Sequence, residues 1–246
     1  MANINVSIIT VCRNSEAVIA KTIESILNQT YNNIEYIIVD GLSEDNTMNI
    51  ACAYKTLFEN RGYTYRIISD GDEGIYDAMN KGISSATGEI VGLINSGDWY
   101  EPCAVERMMD TYQKKHFDLF YADLRIWRNG TSMIKHARLR HFLTTRDWNH
   151  PTTFIRREIY DKYRYSCNGV YDDWDLIIRI RKAGYKIVIL NEVLANFCFG
   201  GISNTKSVKA VFSRTKERYS IYRKNGFSRM YFFECVLMEI VKYLAA

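Results

Sequence analysis

The chain has 246 residues, 47% of them apolar and 24% charged, enough to bury one substantial core and too apolar for a disordered chain. With two prolines, long Pro-rich linkers are excluded. The net charge of +4 is uneven: residues 205–246 hold nine Lys/Arg against three Asp/Glu, while residues 1–204 hold 23 against 25, so an anionic partner is expected at the tail.

The first apolar run, Val6-Ser7-Ile8-Ile9-Thr10-Val11, reads as a strand. It lacks the basic region, long apolar segment and cleavage site of a signal peptide, and a cytoplasmic protein is expected. The six cysteines are scattered, with no C-x-x-C pair, and are expected as reduced thiols. Strands are expected at 5–11, 34–39, 64–69 and 89–94. Between the first two, Ile19, Ile23, Ile26 and Leu27 recur at helical spacing after a cap at Asn14 or Ser15. A second helix follows Ser43 or Asp45 and ends near Gly62, and a third runs from Gly74 to Ser85. Strands alternating with helices predict an α/β fold with a mostly parallel sheet flanked by helices, whose ligands collect at the carboxyl ends of the strands.

Beyond Pro102, suited to the first position of a helix, a helix to Lys115 leads to a hairpin over 116–136 turning at Asn129-Gly130. A helix opening at Asp172 or Asp173 and closing at Gly184, then a strand at 186–190, complete a body spanning 1–204. In the tail, 205–246, Phe233, Val236, Leu237, Ile240, Val241 and Leu244 share one helical face behind a basic run from Lys206 to Arg229. The segment is too short, and too interrupted by Glu234, Glu239 and Lys242, to span a bilayer. It fits either an interfacial helix on anionic lipid or a helix packed on the body or on a second subunit. Its apolar face and the lack of a recognition motif speak against nucleic acid.

Carboxylates gather where the sheet should end. Asp40 leaves an apolar strand and suits a ribose or a base edge; Asp45 is accounted for by capping. Asp70, Asp72, Glu73 and Asp77 crowd one loop and helix start, so a cation (a metal, Lys81 or an arginine) is expected among them, unless the loop is simply solvated. Asp98 follows the fourth strand, where an oxygen ligand for Mg²⁺ or Mn²⁺ is well placed. Asp172, Asp173 and Asp175 open a helix; the helix dipole alone favours them there, and one could equally be a general base.

Taken together, Gln29-Thr30-Tyr31, Ile38-Val39-Asp40-Gly41 with Ser43 and Asp45, Gly74-Ile75-Tyr76-Asp77-Ala78-Met79-Asn80-Lys81-Gly82, Asn95-Ser96-Gly97-Asp98 and Asp173-Trp174-Asp175-Leu176 resemble family-2 glycosyltransferases of the GT-A fold, over roughly the first 200 residues. The resemblance implies an inverting hexosyltransferase that uses a nucleotide-sugar donor, UDP before dTDP or GDP. The implied acceptor is a glycan or an undecaprenyl-diphosphate-linked sugar, in bacterial surface polysaccharide synthesis such as O-antigen or capsule, at the inner face of the membrane. It assigns donor binding to Thr10, Arg13, Asn14, Asp40, Asp72, Asp77, Asn80, Lys81, Asn95 and Ser96. The base falls on Asp173, with Asp172 as fallback; His150 and Trp174 lie on the acceptor side; Phe199-Gly200-Gly201-Ile202-Ser203 closes the site. The metal motif keeps one carboxylate, Asp98, for Mn²⁺ or Mg²⁺.

A nucleotidyltransferase would carry a Gly-rich basic loop where Thr10-Val11-Cys12-Arg13-Asn14-Ser15 stands, and a dinucleotide enzyme a G-x-G-x-x-G there. A sugar-nucleotide binder or assembly partner without activity is the alternative that the thinned metal motif leaves, and oligomers are compatible with the tail.

Overall fold

The computed structural model describes residues 4–198 and 208–245. β1 (Val6–Cys12) and β2 (Ile34–Asp40) are buried along their whole length, as expected of central parallel strands covered on both faces. Their side chains alternate between two cores: Ile9, Val11, Ile37 and Val39 enter one, while Ile8, Cys12, Tyr36 and Ile38 enter the other. Helices α1 (Ile19–Leu27), α2 (Thr47–Ala53) and α3 (Lys55–Asn60) cover the second core.

Two expected helix starts differ in detail. Asn14 takes a left-handed φ of 47° and Ser15 caps with its carbonyl, accepting from Val18 and Ile19 N–H, so α1 begins later than the capping residues suggest. The second helix is broken at Tyr54, whose ring edge is held by a hydroxyl bond to Glu24. Asp45 does cap, accepting from Thr47 N–H at 3.0 Å.

β3 (Thr64–Ser69) completes the parallel edge, and α4 (Ile75–Ser85) crosses back to β4 (Ile90–Leu93). Gly82 lets α4 lie directly on β1: a Cβ there would stand 2.5 Å from Ile9 Cγ2.

The second half changes the sheet. β5 (Trp99–Tyr100), α5 (Ala104–Lys115), β6 (Leu119–Arg128), β7 (Thr131–Lys135), β8 (Phe154–Arg156), the single turn α6 (Arg157–Tyr160), α7 (Asp172–Lys182) and β9 (Ile187–Cys198) follow in order. The sheet order is β3-β2-β1-β4-β8-β6-β9-β5, with β7 on β6. β4–β8, β6–β8, β5–β9 and β6–β7 are antiparallel, so among the described residues the sheet is mixed, with β5, β7 and β8 running against the remaining, mutually parallel strands. The hairpin at Asn129-Gly130 forms as expected; β5 and β8 were too short for a periodic signal, and β9 runs eight residues past 190.

The tail forms α8 (Val208–Lys224) and α9 (Tyr231–Ala245). Ile221, Tyr222, Tyr231 and Cys235 enter the same core as Tyr171, Trp174 and Ile178 of the body. All six cysteines are free thiols. No helix among the described residues is long and apolar enough to cross a membrane.

Candidate active site

Because β1, β2 and β4 run parallel, their carboxyl ends open on one edge, and the loops after them are stitched together there. Asn14 N–H donates to Ser43 Oγ at 2.8 Å, and Asn14 Oδ1 accepts from Glu44 N–H at 2.9 Å. Ser15 Oγ lies 3.0 Å from Ser96 Oγ. The turn Asn95–Asp98 is pinned to α1 by buried Thr22, which donates to the Asp98 carbonyl at 2.7 Å and accepts from Gly97 N–H at 2.9 Å.

Asp40 is fully buried. Its carboxylate accepts from Ser43 N–H and hydroxyl and from Ser69 Oγ, so it shapes the floor of this edge. Burial, and then the charge of Asp40, push the Cys12 thiol up to about 12. Over this floor the side chain of Asp72 and the stem of Arg13 close on Gly41, where a Cβ would collide with Asp72. The cation among the loop acids is Lys81: its Nζ lies 3.2 Å from Asp70 and 3.3 Å from Asp77 and donates to the Gly71 carbonyl.

A second group of side chains meets this edge from α7. The Tyr76 hydroxyl at the start of α4 donates to the Val170 carbonyl at 3.0 Å, and its ring stacks on Tyr165 at 5.2 Å. Asp173 sits beside them: burial first, and then the Asp173 charge, raise the pKa of Tyr76. Asp173 keeps partial exposure and accepts from Trp174 N–H at 2.7 Å. Asp172 is buried and accepts from the N–H groups of Asn168 and Gly169, which commits it to the loop. A cleft of about 430 Å³ opens beside this turn, lined by Asp172, Asp175, Lys216 and Glu217 among others.

Residues 7–171, which hold most of this sheet and the loops up to the start of α7, match Glycosyl transferase family 2. The chain belongs to that family. The PGL/p-HBAD biosynthesis glycosyltransferase of Mycobacterium bovis is 31% identical over 208 residues, 81% of this chain and 79% of that one. Another curated relative is matched over 43% of this chain and only 30% of its own length. Among solved structures, S. aureus TarS in complex with UDP-GlcNAc has a TM-score of 0.70 at 15% identity, covering 98% of this chain and 73% of that one. PcManGT of Pyrobaculum calidifontis, in complex with GDP-Man and Mn²⁺, has a TM-score of 0.70 at 14% identity, covering 99% and 75%. The fold is therefore GT-A, and the protein is a glycosyltransferase.

Within this family-2 framework several residues expected at the donor or acceptor turn out to hold the scaffold. Thr10 is fully buried and accepts from the Tyr36 hydroxyl at 3.0 Å, because a central strand points every side chain into a core. The Asn80 side chain pairs with both the N–H and carbonyl of Tyr165, at 3.2 and 3.0 Å. Trp174 is 1% exposed, packed 5.7 Å from Trp148 and edge-on to Tyr222, so it is core. His150 keeps some exposed surface; burial of its ring beside Trp148 lowers its pKa to about 4, leaving it neutral at pH 7. The residues Phe199-Gly200-Gly201-Ile202-Ser203 lie outside the described residues.

Divalent metals are common in this family, and PcManGT is seen with Mn²⁺. The residues here do not fit a protein-held ion. Asp98 is 5% exposed and its Oδ1 accepts from Cys198 N–H at 3.1 Å. Burial pushes its carboxyl up to about 7. The D-x-D spacing counted from Asn95 falls on Gly97, and no group of three His, Cys, Asp or Glu side chains gathers for a metal among the described residues. Residues 199–207 contain none of those four residue types. Asn95 Oδ1, by contrast, is buried without a partner, a neutral acceptor turned toward the joined loops.

Three residues gave no sequence signal. Glu217 of α8 accepts from Tyr171 N–H at 3.1 Å. Arg218 and Glu239 pair at 2.7 Å, and each bonds the Tyr171 hydroxyl. In sequence they were one basic and two acidic tail residues; only packing on α7 gives them a place beside Tyr171.

Proposed function

We propose that the chain transfers a hexose, with inversion, from a UDP-sugar to a hydroxyl of a glycan or lipid-linked glycan. The observation that carries this is the division of labour in the first turn of α7: Asp172 is spent on the 168–169 loop, while Asp173 stays partly exposed beside Tyr76 at the donor-loop edge.

In this reading Asp173 takes the proton of the acceptor hydroxyl as that oxygen bonds the anomeric carbon, and the bond from that carbon to the nucleoside diphosphate breaks with its electron pair leaving on the phosphate. The α7 N-terminus favours a carboxylate at this position. Asp40 and its serines, with Arg13 and Asp72 above them, receive the nucleoside; Asn95 and Ser96 face the sugar-diphosphate, and Arg13 offsets charge on the departing diphosphate. We assign no step to Mn²⁺ or Mg²⁺, since only buried Asp98 stands where the ion was expected. TarS and PcManGT, seen with UDP-GlcNAc and GDP-Man respectively, support a nucleotide-sugar donor and leave UDP and GDP as competitors. The chain would work in the cytoplasm, at the inner face of the membrane, where such donors meet lipid-linked acceptors.

The experiment is a matrix of UDP-, dTDP- and GDP-hexoses against the purified protein, following release of nucleoside diphosphate and the anomeric configuration of the product. Release from UDP-sugars with inverted product is expected. Retained configuration overturns the single displacement; binding with no turnover of any donor favours the binder without activity.

A further inference from the structure

α9 is turned inside out for a helix on a protein surface. Its two acids face inward: Glu239 is fully buried against Arg214 and Arg218, and Glu234 accepts from Thr144 Oγ1 at 2.6 Å. Its apolar side chains face out, with Phe233 65%, Leu237 55%, Ile240 47% and Val241 40% exposed. The helical face found in the sequence thus exists, and it points away from the body. At the N-terminal end of α9 the surface continues onto the loop 138–142, joined by Phe142, which stacks on Tyr231 at 4.8 Å and is itself 55% exposed. Leu139, also exposed, lies in the same loop.

The charges around this face have one sign. Arg138, Arg146 and Arg229 are exposed, and exposed Arg140 pairs with buried Asp147 at 3.8 Å; across 138–147 and 229–241 the acids are Asp147, Glu234 and Glu239, all turned inward. A contiguous apolar face of this kind marks an interaction site. A second copy meeting it about a two-fold axis would set the same patch on itself and bring arginine against arginine. An anionic bilayer answers both features, burying the aromatic and aliphatic side chains at the acyl boundary while its headgroups meet the arginines.

We infer that the outer face of α9 and the loop 138–142 form one docking surface for an anionic phospholipid bilayer. This stands apart from the reading of donor and acceptor. Because α8 and α9 also hold Tyr171 at the start of α7, docking would set the base at a fixed height above the headgroups.

The test is flotation of the full chain with vesicles of phosphatidylglycerol and phosphatidylcholine in equal parts, and with phosphatidylcholine alone, with light scattering of the lipid-free protein. The wild type should float with the anionic vesicles only, and less as salt rises. Leu237→Asp with Ile240→Asp should abolish flotation without moving the thermal midpoint, since both side chains are exposed. Arg138→Gln with Arg229→Gln should weaken it by roughly 25-fold, each arginine at an anionic surface being worth about fivefold. Failure of the wild type to float, equal flotation with neutral vesicles, or a lipid-free dimer that Leu237→Asp with Ile240→Asp converts to monomer would each overturn the inference.

Discussion

Adjacent aspartates at 172 and 173 look interchangeable in the sequence and are not so in the fold. Asp172 is buried and accepts two loop N–H groups, whereas Asp173 lies beside Tyr76, accepts its neighbour's N–H at 2.7 Å and is partly exposed. Asp173→Asn preserves the shape and removes the base, so transfer should fall by about 10² to 10⁴ while UDP affinity measured by calorimetry stays within about twofold. Normal turnover would remove Asp173 from the mechanism. Asp98 is the opposite case, a residue whose motif promised a metal and whose surroundings supply burial and one N–H donor. Asp98→Asn keeps the bond from Cys198 N–H, so UDP affinity with Mn²⁺ present should match the wild type in the same calorimetric titration. A tenfold loss would restore Asp98 as a ligand. The sequence singles out Asp173 by its place before an aromatic, an acid and an apolar helix; the burial of Asp98 was not legible, because a strand-end acid looks the same whether it turns to solvent or into the core.

At the scale of elements, the strands that alternate with helices in the first hundred residues were readable almost to the residue, as Thr64–Ser69 shows. Local periodicity suffices where each strand is a continuous buried run. β5, β8 and the far half of β9 were not, since they are held by partners distant in sequence. The joint between α7, α8 and α9 belongs to the same class. Arg218 is 1% exposed and Glu239 fully buried, so Glu239→Ala strands a buried guanidinium and should cost about 3 to 5 kcal/mol in urea unfolding. Arg218→Met with Glu239→Met should recover most of that loss, because an apolar pair of similar volume fills the site without a desolvated charge. If the double variant were as unstable as the single, the pair would be holding the joint by geometry that methionine cannot supply.

The whole molecule carries two buried groups that titrate against each other. The Asp98 carboxyl is pushed up from 3.8 to about 7 by burial, so between those values the folded chain holds a proton that the unfolded chain has released, and stability falls as the pH rises. His150, pushed down from 6.5 to about 4 by burial, leaves the unfolded chain holding the extra proton, and stability rises with pH over that window. The two nearly cancel from about pH 4.5 to 6. In Asp98→Asn only the histidine remains, so the urea-derived stability should climb with pH more steeply than in the wild type, by about 1.4 kcal/mol per pH unit. Parallel slopes would mean that Asp98 titrates normally in the folded chain.

The sequence by itself determined the α/β core and the family, because these follow from hydrophobic period and from residues close together along the chain. The tertiary structure decided the rest. It gave Asp172 and Asp173 different surroundings, buried Thr10 and Trp174, tied Asn80 to Tyr165, sank Asp98 beneath Cys198, and set Glu239 of α9 inward with Phe233, Leu237 and Ile240 outward. Each of these depends on which way a side chain faces once distant elements pack, and neither period nor motif encodes that direction.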